Sequence, residues 1–328
     1  MSFSKNIYIT AQAKLEKRQK QAKEDLDIRR EKAYLAIPQL AQIQNRIAAC
    51  GAQVIGAFAK GSGAEGKAYV EKLAKESLDA QKERKELLTS AGFPEDYLEP
   101  HYICSICQDT GITEEGICTC QRELLVQTAK DEIEKYAPLG KSTFDSFSLD
   151  FYPEAVDANG ISPKKRMGEI AEFCKAYAAD FSAKSPSLFM HGATGLGKTH
   201  LSLAIANKAI EKGYGVVYGS APNIFSQLEK EHFSRQNPFE RTYEQELLES
   251  DLVIIDDLGV EFSTQFTVSC IYNIINSRIL SGKPTIISTN LTPAELEDKY
   301  TQRITSRIIG SYISLKFTGR DIRQLKRY

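Results

Sequence analysis

The 328-residue sequence lacks any apolar run close to the roughly 20 residues that a membrane-spanning helix needs. Residues 1–6 also lack the apolar core of a secretory signal peptide. Hydrophobic residues nevertheless make up 42% of the chain, which is enough for a sizeable core. We therefore expect a cytoplasmic protein of about two domains, with no membrane partner.

Net charge is also nearly absent, because 42 Lys and Arg residues oppose 43 Asp and Glu residues. The formal charge of −1 gives no global field that would attract a polyanion. Any contact with nucleic acid must therefore come from a local basic patch.

Cysteines are few, but four of the seven lie within seventeen residues with the spacing C-x2-C-x10-C-x-C. In a cytosolic protein such a cluster predicts metal binding in preference to disulfides. We expect Cys104, Cys107, Cys118 and Cys120 to hold a structural zinc ion, because four protein ligands leave no open position. His101 is a substitute ligand, and an iron–sulfur cluster or reduced thiols without metal are the alternatives.

The most informative motif is G-x-x-x-x-G-K-[ST], the phosphate-binding loop of nucleoside triphosphatases. An apolar segment at residues 187–190 precedes it and a helical pattern follows, which is the order that this motif requires. Lys198 is expected to reach the β- and γ-phosphates of ATP, and the Thr199 hydroxyl to ligate Mg²⁺. The full loop comprises Gly192, Ala193, Thr194, Gly195, Leu196, Gly197, Lys198 and Thr199.

Two further apolar segments end in polar side chains suited to the same chemistry. Asp256 follows the first segment and is expected to hold Mg²⁺, whereas Asp257 is expected to polarise the attacking water. Aspartate at this second position is one methylene shorter than the glutamate of many such enzymes. Asn290 follows the second segment and is expected to hydrogen-bond the water or the γ-phosphate. Thr292 and Glu295 then form a capping box, which gives them a structural role.

The chain pattern changes near residue 143. Before it, residues 11–35 contain 13 charged residues and no proline or glycine, which predicts a solvated helix. Two more helical stretches follow, separated by a glycine-rich turn near residues 61–66. This region is either a charged spacer or a docking arm for a partner. After residue 143, short apolar runs alternate with helical segments, which predicts a parallel α/β sheet.

These features together resemble the AAA+ ATPases of the DnaC/DnaI helicase-loader group and their relative, the transposition helper IstB. The resemblance covers residues 143–328. It rests on the phosphate loop, Asp256 and Asp257, Asn290, the helix carrying Arg303 and Arg307, the ending Gly319-Arg320-Asp321-Ile322-Arg323, and the entry segment Phe144-Asp145-Ser146-Phe147. The cysteine cluster resembles the N-terminal half of the DnaI-type loaders.

The resemblance implies roles that the residues alone do not. Asn290 corresponds to sensor 1 and Arg323 to the sensor 2 arginine. Arg307 resembles an arginine finger that acts on a neighbouring subunit's ATP, with Arg303 as the second candidate. Because the sequence ends five residues after Arg323, we expect no C-terminal lid. In the family, an extra helix near residues 223–250 contacts single-stranded DNA. Its candidate contacts here are Phe225, Lys230, Phe233, Arg235 and Arg241.

The sequence therefore predicts four regions: a helical partner-docking region at 1–100, a four-cysteine zinc knuckle at 101–122, a linker at 123–142 and a P-loop AAA+ domain at 143–328. The implied function is an ATP-dependent loader that places a hexameric replicative helicase on single-stranded DNA and self-associates on binding ATP. The alternatives are an ATPase assisting a transposase or phage replication protein, and an adaptor that binds ATP without turnover.

Overall fold

The computed structural model describes residues 2–60, 64–156, 160–234 and 242–325. In this part of the chain, the backbone separates into two compact units. One unit combines the residues up to Ala11 with those from Arg122 onward, and the other unit is Gln12–Gln121. The domain boundaries near residues 100, 122 and 142 remain sequence predictions.

The unit Gln12–Gln121 is mostly helical. Its elements are α1 (Lys5–Ala36, from residue 12 onward), α2 (Gln39–Lys60), α3 (Ala64–Ser90), β1 (Ile112–Thr113) and β2 (Gly116–Ile117). Helix α1 ends just before Pro38, whose ring disfavours a continuing helix. A small apolar cluster consists of Ala33, Ile37, Leu40, Leu88 and Leu98. The predicted turn between α2 and α3 falls partly on residues 61–63, which lie outside the described ranges.

The larger unit, called the sheet unit below, contains a five-stranded parallel sheet with helices on both faces. The strands are β3 (Ser187–His191), β4 (Val216–Ser220), β5 (Leu252–Leu258), β6 (Thr285–Thr289) and β7 (Tyr312–Lys316), in the spatial order β4-β5-β6-β3-β7. The helices are α4 (Thr119–Glu134), α5 (Pro163–Ala179), α6 (Lys198–Glu211), α7 (Ala221–Phe233), α8 (Tyr243–Glu249), α9 (Gln265–Leu280), α10 (Pro293–Tyr300), α11 (Gln302–Ser311) and α12 (Ile322–Leu325). The parallel α/β fold predicted from the sequence is therefore confirmed.

Strand alternation divides the core of this unit between the two faces of the sheet. Leu188 and Met190 of β3 pack into one apolar cluster, whereas Phe189 between them packs into the other. Because all five strands are parallel, their carboxyl ends meet at one edge, where ligands bind in open α/β sheets. Within the described ranges, no helix is both long and apolar enough to cross a membrane.

Residues near the start of the chain complete the larger unit. Phe3, Ile7 and Ala11 are buried in the same cluster as Leu125 and Ile133 of α4. The backbone N–H of Ser2 also donates to the Gly213 carbonyl at 3.0 Å. Neither the first turns of α1 nor the segment predicted as a linker is peripheral to this core.

Candidate functional site

The phosphate loop joins β3 to α6, and its glycines adopt a backbone that other residues disfavour. Gly192, Gly195 and Gly197 have φ angles of 145°, 76° and 88°. A Cβ atom at Gly192 would collide with the Phe317 carbonyl oxygen, and one at Gly195 with the Asp321 carboxylate. Glycine is therefore required here both for the turn and for close approach of other groups. The N–H groups at the start of a helix carry partial positive charge, so the start of α6 is suited to bind phosphate.

Lys198 lies inside the loop and connects it to the end of β6. Its Nζ donates to the carbonyls of Gly192 at 2.7 Å and Ala193 at 2.8 Å, and to Asn290 Oδ1 at 2.8 Å. Burial lowers the pKa of the Lys198 ammonium, while the nearby carboxylates of Asp257 and Asp256 oppose that effect. A bound phosphate would offer the Lys198 ammonium negatively charged oxygens in place of these neutral carbonyl and amide oxygens.

Asp256 lies at the end of β5, is only 4% exposed and collects three hydroxyl donors. Thr199 Oγ1 lies 3.1 and 3.0 Å from its two carboxylate oxygens, and the Tyr218 hydroxyl donates to Oδ2 at 2.8 Å. Ser288 Oγ donates to Oδ1. Thr199 and Asp256 thus present adjacent oxygen ligands of the kind that Mg²⁺ prefers. Tyr218 and Ser288 were missed in the sequence, although both lie near the carboxyl ends of apolar strands.

Asp257 lies in β5 where the pairing with β6 is irregular, and its φ of 53° is unusual for a non-glycine residue. Its backbone N–H donates to Ser288 Oγ at 2.9 Å, and its Oδ1 lies 3.5 Å from Asn290 Nδ2. Burial, together with the charge of Asp256, raises the pKa of Asp257, although Lys198 and Arg323 act in the opposite direction. Although aspartate is one methylene shorter than glutamate, the Asp257 carboxylate lies within 3.5 Å of the Asn290 amide.

A cavity of about 230 Å³ opens beside these groups. One wall comes from residues 146–151, before α5, where the sequence had indicated only the entry into the domain. The Phe147 ring lies 5.6 Å from the His200 ring, and the Tyr152 hydroxyl donates to the Leu196 carbonyl at 3.0 Å. The lining residues are Ser146, Phe147, Ser148, Phe151, Thr194, Gly195, Leu196, Gly197, Lys198, Thr199, His200, Asp257, Asn290, Ile322 and Arg323.

The predicted arginines occupy different environments. Arg323 lines the cavity and its charge acts on Lys198 and Asp257. Arg307 stacks on the Tyr272 ring at 5.2 Å and donates to its hydroxyl at 3.1 Å, whereas Arg303 is exposed. Among the described residues that line the cavity, neither Arg303 nor Arg307 is included.

Comparisons with known proteins find similarity in the region that carries this site. Residues 170–310 match the family described as IstB-like ATP binding protein. The matched region, less than half of the chain, is similar to this family and to the DnaC helicase loaders. The replicative helicase loader DnaC of Escherichia coli K12 is 28% identical over 143 residues, which are 43% of this chain and 58% of that relative. DnaA, the chromosomal replication initiator of Aquifex aeolicus, is 32% identical over 128 residues, 38% of this chain and 31% of DnaA.

Solved structures similar to this chain include the DnaC helicase loader, with a TM-score of 0.47 and 20% identity over 55% of this chain and 99% of that one. The structure of DnaI matches with a TM-score of 0.43 and 20% identity, covering 56% of this chain and 92% of DnaI. The chain thus spans 58% of the length of the E. coli DnaC relative, and ATP binding is the property that the family description shares with the site above.

The DNA contacts predicted from the sequence are only partly accessible. Phe225 is buried in the core of the sheet unit, so its assignment as a stacking residue was wrong; a helix-wide pattern could not tell its face. Phe233 is 76% exposed and Lys230 is exposed, so both stay candidates. Arg235 and Arg241 lie outside the described residues.

The four clustered cysteines come together in the unit Gln12–Gln121. Their sulfur atoms all lie within 4.8 Å of one another, with Cys104 Sγ 3.8 Å from Cys118 Sγ and Cys107 Sγ 3.4 Å from Cys120 Sγ. Four thiolates bound to one zinc ion at about 2.3 Å would be roughly 3.8 Å apart. The cluster is therefore compatible with a zinc knuckle.

The turn after the first cysteine pair supports this cluster. Gln108 and Asp109 have positive φ angles of 52° and 57°, and the Gly111 N–H points to Cys107 Sγ at 3.3 Å. The buried Asp109 carboxylate accepts the N–H of Cys104 at 3.0 Å. His101 is not in the cluster, because its Nε2 lies 3.2 Å from Asp96 Oδ2.

Proposed function

We propose that this protein binds ATP with Mg²⁺, hydrolyses it and uses the cycle to load a hexameric replicative helicase onto single-stranded DNA. The observation that carries the proposal is the convergence of the phosphate loop with the ends of β5 and β6. Lys198 contacts Asn290, and Thr199 contacts Asp256, across 92 and 57 residues of sequence. The DnaC relatives support the helicase-loading part.

In this proposal, the phosphate loop binds the ATP phosphates through its N–H groups and through Lys198, which leaves the loop carbonyls for the phosphates. Thr199 and Asp256 hold Mg²⁺, which neutralises charge on the β- and γ-phosphates when it is bound. Tyr218 and Ser288 keep the Asp256 carboxylate oriented by donating to it. The aromatic wall at Phe147 shields the nucleotide from water.

Asp257 and Asn290 form the hydrolytic side of the site. The ionised Asp257 carboxylate accepts a hydrogen bond from the attacking water, and Asn290 orients the same water or the γ-phosphate. Their 3.5 Å separation lets both side chains reach one small molecule. Orientation of this kind supplies a large part of phosphoryl-transfer catalysis, because the protein forms no covalent bond.

Arg307 completes the site of a neighbouring copy in this proposal, with Arg303 as the second candidate, whereas Arg323 acts within its own chain. The placement of Arg323 at the cavity and of Arg307 away from it supports this division. A single chain then hydrolyses ATP slowly, and self-association on ATP binding controls the rate.

The four-cysteine cluster, in this proposal, binds one structural zinc ion. The thiol separations and the N–H donor to Cys107 fit a tetrathiolate site, which favours zinc over unliganded thiols. Together with α1, α2 and α3, the knuckle then forms the arm that docks on the helicase. The charged-spacer alternative predicts that this arm is dispensable for helicase binding.

The test uses the full-length protein, the replicative helicase of the same organism and circular single-stranded DNA. We expect ATP-dependent deposition of helicase on the DNA, scored by unwinding of an annealed strand. Lys198→Ala should abolish deposition and lower ATP hydrolysis at least about a hundredfold. Lys208→Ala is the matched control, because it removes an exposed lysine from the same helix. Deposition that Lys198→Ala leaves unchanged would contradict the proposal.

The IstB-like family description favours a second candidate, an ATPase that assists a transposase or a phage replication protein. This candidate predicts that the host helicase is not bound, whereas the transposase encoded beside the gene is. A purely adaptor role predicts ATP binding without phosphate release in the presence of DNA and partner. Phosphate release that depends on Arg307 would exclude that role.

A further inference from the structure

The loop between β5 and α9 buries one carboxylate between two exposed apolar side chains. Val260 is 64% exposed and Phe262 is 93% exposed, whereas Glu261 between them is 6% exposed. This loop begins two residues after Asp257. A carboxylate buried so close to a hydrolytic site needs strong partners, because desolvation disfavours its charge.

Those partners come from the loop itself and from the far end of α10. The Tyr300 hydroxyl donates to Glu261 Oε1, and the Gly259 N–H donates to Oε2 at 3.0 Å. Lys299 Nζ lies 3.9 Å from Oε1 and also donates to the backbone carbonyls of Gly259 and Glu261. We call Glu261, Lys299 and Tyr300 the latch. It ties the segment after Asp257 to a helix almost forty residues further along the chain.

The residues that follow Asp257 also contact the residues on either side of Asn290. The Thr289 hydroxyl donates to the Leu258 carbonyl and accepts the Leu291 N–H at 3.1 Å. The Leu291 side chain packs against Gly259, and a Cβ atom at Gly259 would lie only 2.6 Å from Leu291 Cδ1. The φ of 112° at this glycine is also one that other residues disfavour. The latch therefore holds the loop that follows Asp257 against α10, and the start of the same loop packs beside Asn290.

We propose that the latch positions Asp257 against Asn290 for hydrolysis. This inference rests on the proposed ATPase function and adds a group that does not touch the nucleotide site. Because no latch residue lines the described cavity, its loss should misplace the attacking water without weakening nucleotide binding. The expected signature is a fall in kcat with little change in KM.

The test compares Glu261→Gln and Tyr300→Phe with Thr292→Ala in the full-length protein. The first two keep side-chain size but remove the charge or the hydroxyl donor. Thr292→Ala is the matched control, because it removes the capping box at the opposite end of α10. We expect kcat to fall about tenfold to a hundredfold in both latch variants, with KM and nucleotide Kd within about twofold. The control should keep its kcat.

Amide hydrogen exchange gives a readout that does not need turnover. Glu261→Gln should accelerate exchange at the N–H groups of Asp257 and Leu291, which lie in the two segments that are in contact beside Asn290. Thr292→Ala should not change exchange at these groups. Unchanged exchange and unchanged kcat in the latch variants would overturn the inference, as would kcat values that merely follow the thermal midpoints of all three variants. If the parent and Lys198→Ala release phosphate equally, the ATPase proposal fails, and exchange still decides the latch.

Discussion

The sheet unit and the unit Gln12–Gln121 are stabilised by different means. The sheet unit buries two large apolar clusters, and its site side chains hydrogen-bond to other parts of the same unit. The unit Gln12–Gln121 buries a cluster of five apolar residues and also gathers four thiols. Small cores commonly need a metal or another cross-link. We therefore expect the first unit to be pre-formed and the second to depend on its metal.

Cysteine substitution should break this comparison most strongly. Cys107→Ser should reduce zinc from about one ion per chain to near zero, because structural zinc binds with apparent free energies of about 10–16 kcal/mol. Residues 103–120 should then lose their protection against hydrogen exchange, while nucleotide affinity is retained. Elemental analysis and exchange measure both effects, with Cys50→Ser as the control for a cysteine outside the cluster. Loss of nucleotide binding in Cys107→Ser would show that the sheet unit also depends on the metal.

Substitution of Arg307 and Arg303 tests whether the proposed ATPase site of the sheet unit is complete within one chain. Arg307→Ala should lower phosphate release about a thousandfold in the assembled protein, whereas Arg303→Ala should change it little. Mixing Arg307→Ala with Lys198→Ala protein should restore part of the rate, since each copy supplies what the other lacks. Absence of restoration, with assembly confirmed by light scattering, would contradict a finger that acts between copies.

Asp257 tests how far the pre-formed site sacrifices stability for activity. Its carboxyl pKa is raised above the ordinary value of 3.8, so the ionised form destabilises the folded state relative to the unfolded one. This destabilisation is absent below pH 3.8 and develops as the pH rises toward the raised pKa. Asp257→Asn should therefore raise the thermal midpoint at neutral pH, and the gain should disappear on acidification.

The same variant should lower phosphate release about a hundredfold, because a neutral amide is a poor acceptor for the water proton. Activity of the parent should fall as acidification protonates Asp257. Calorimetry and a pH–rate profile check the two effects, and Asp298→Asn on the exposed side of α10 serves as the control. A lower midpoint for Asp257→Asn at neutral pH would contradict the sign argued here.

Substitution of Tyr218 should have the smallest effect on activity, and it tests a single hydrogen bond of the pre-formed site. Tyr218→Phe removes one donor to the buried Asp256 carboxylate, which should destabilise the sheet unit by about 1.5–3 kcal/mol. The Mg²⁺ concentration needed for half-maximal activity should rise a few fold, because Asp256 is less well oriented. Tyr214→Phe on the preceding turn is the control, and equal Mg²⁺ dependence of both variants would argue against a role for Tyr218.

The sequence predicted the parallel sheet, and Lys198, Asp257 and Asn290, which it named, lie together at the cavity, whereas Phe151 and His200 were not named. It succeeded there because the phosphate loop, Asp256 and Asn290 each end an apolar strand, and parallel strands share one carboxyl edge. The assignment of Phe225 failed because a helical pattern does not tell which amphipathic face meets the core. Glu261 carried no signal, because its partner Tyr300 is 39 residues away and no short motif relates them.

The burial of Phe3, Ile7 and Ala11 in the sheet unit has a consequence for biosynthesis. These side chains are translated well before α4, because Leu125, the earliest member of their cluster in that helix, follows more than a hundred residues later. At about 5–20 residues per second, roughly 6–24 seconds separate the two on the ribosome. The sheet unit therefore cannot complete its core in order of synthesis, and deletion of residues 1–11 would remove part of that core.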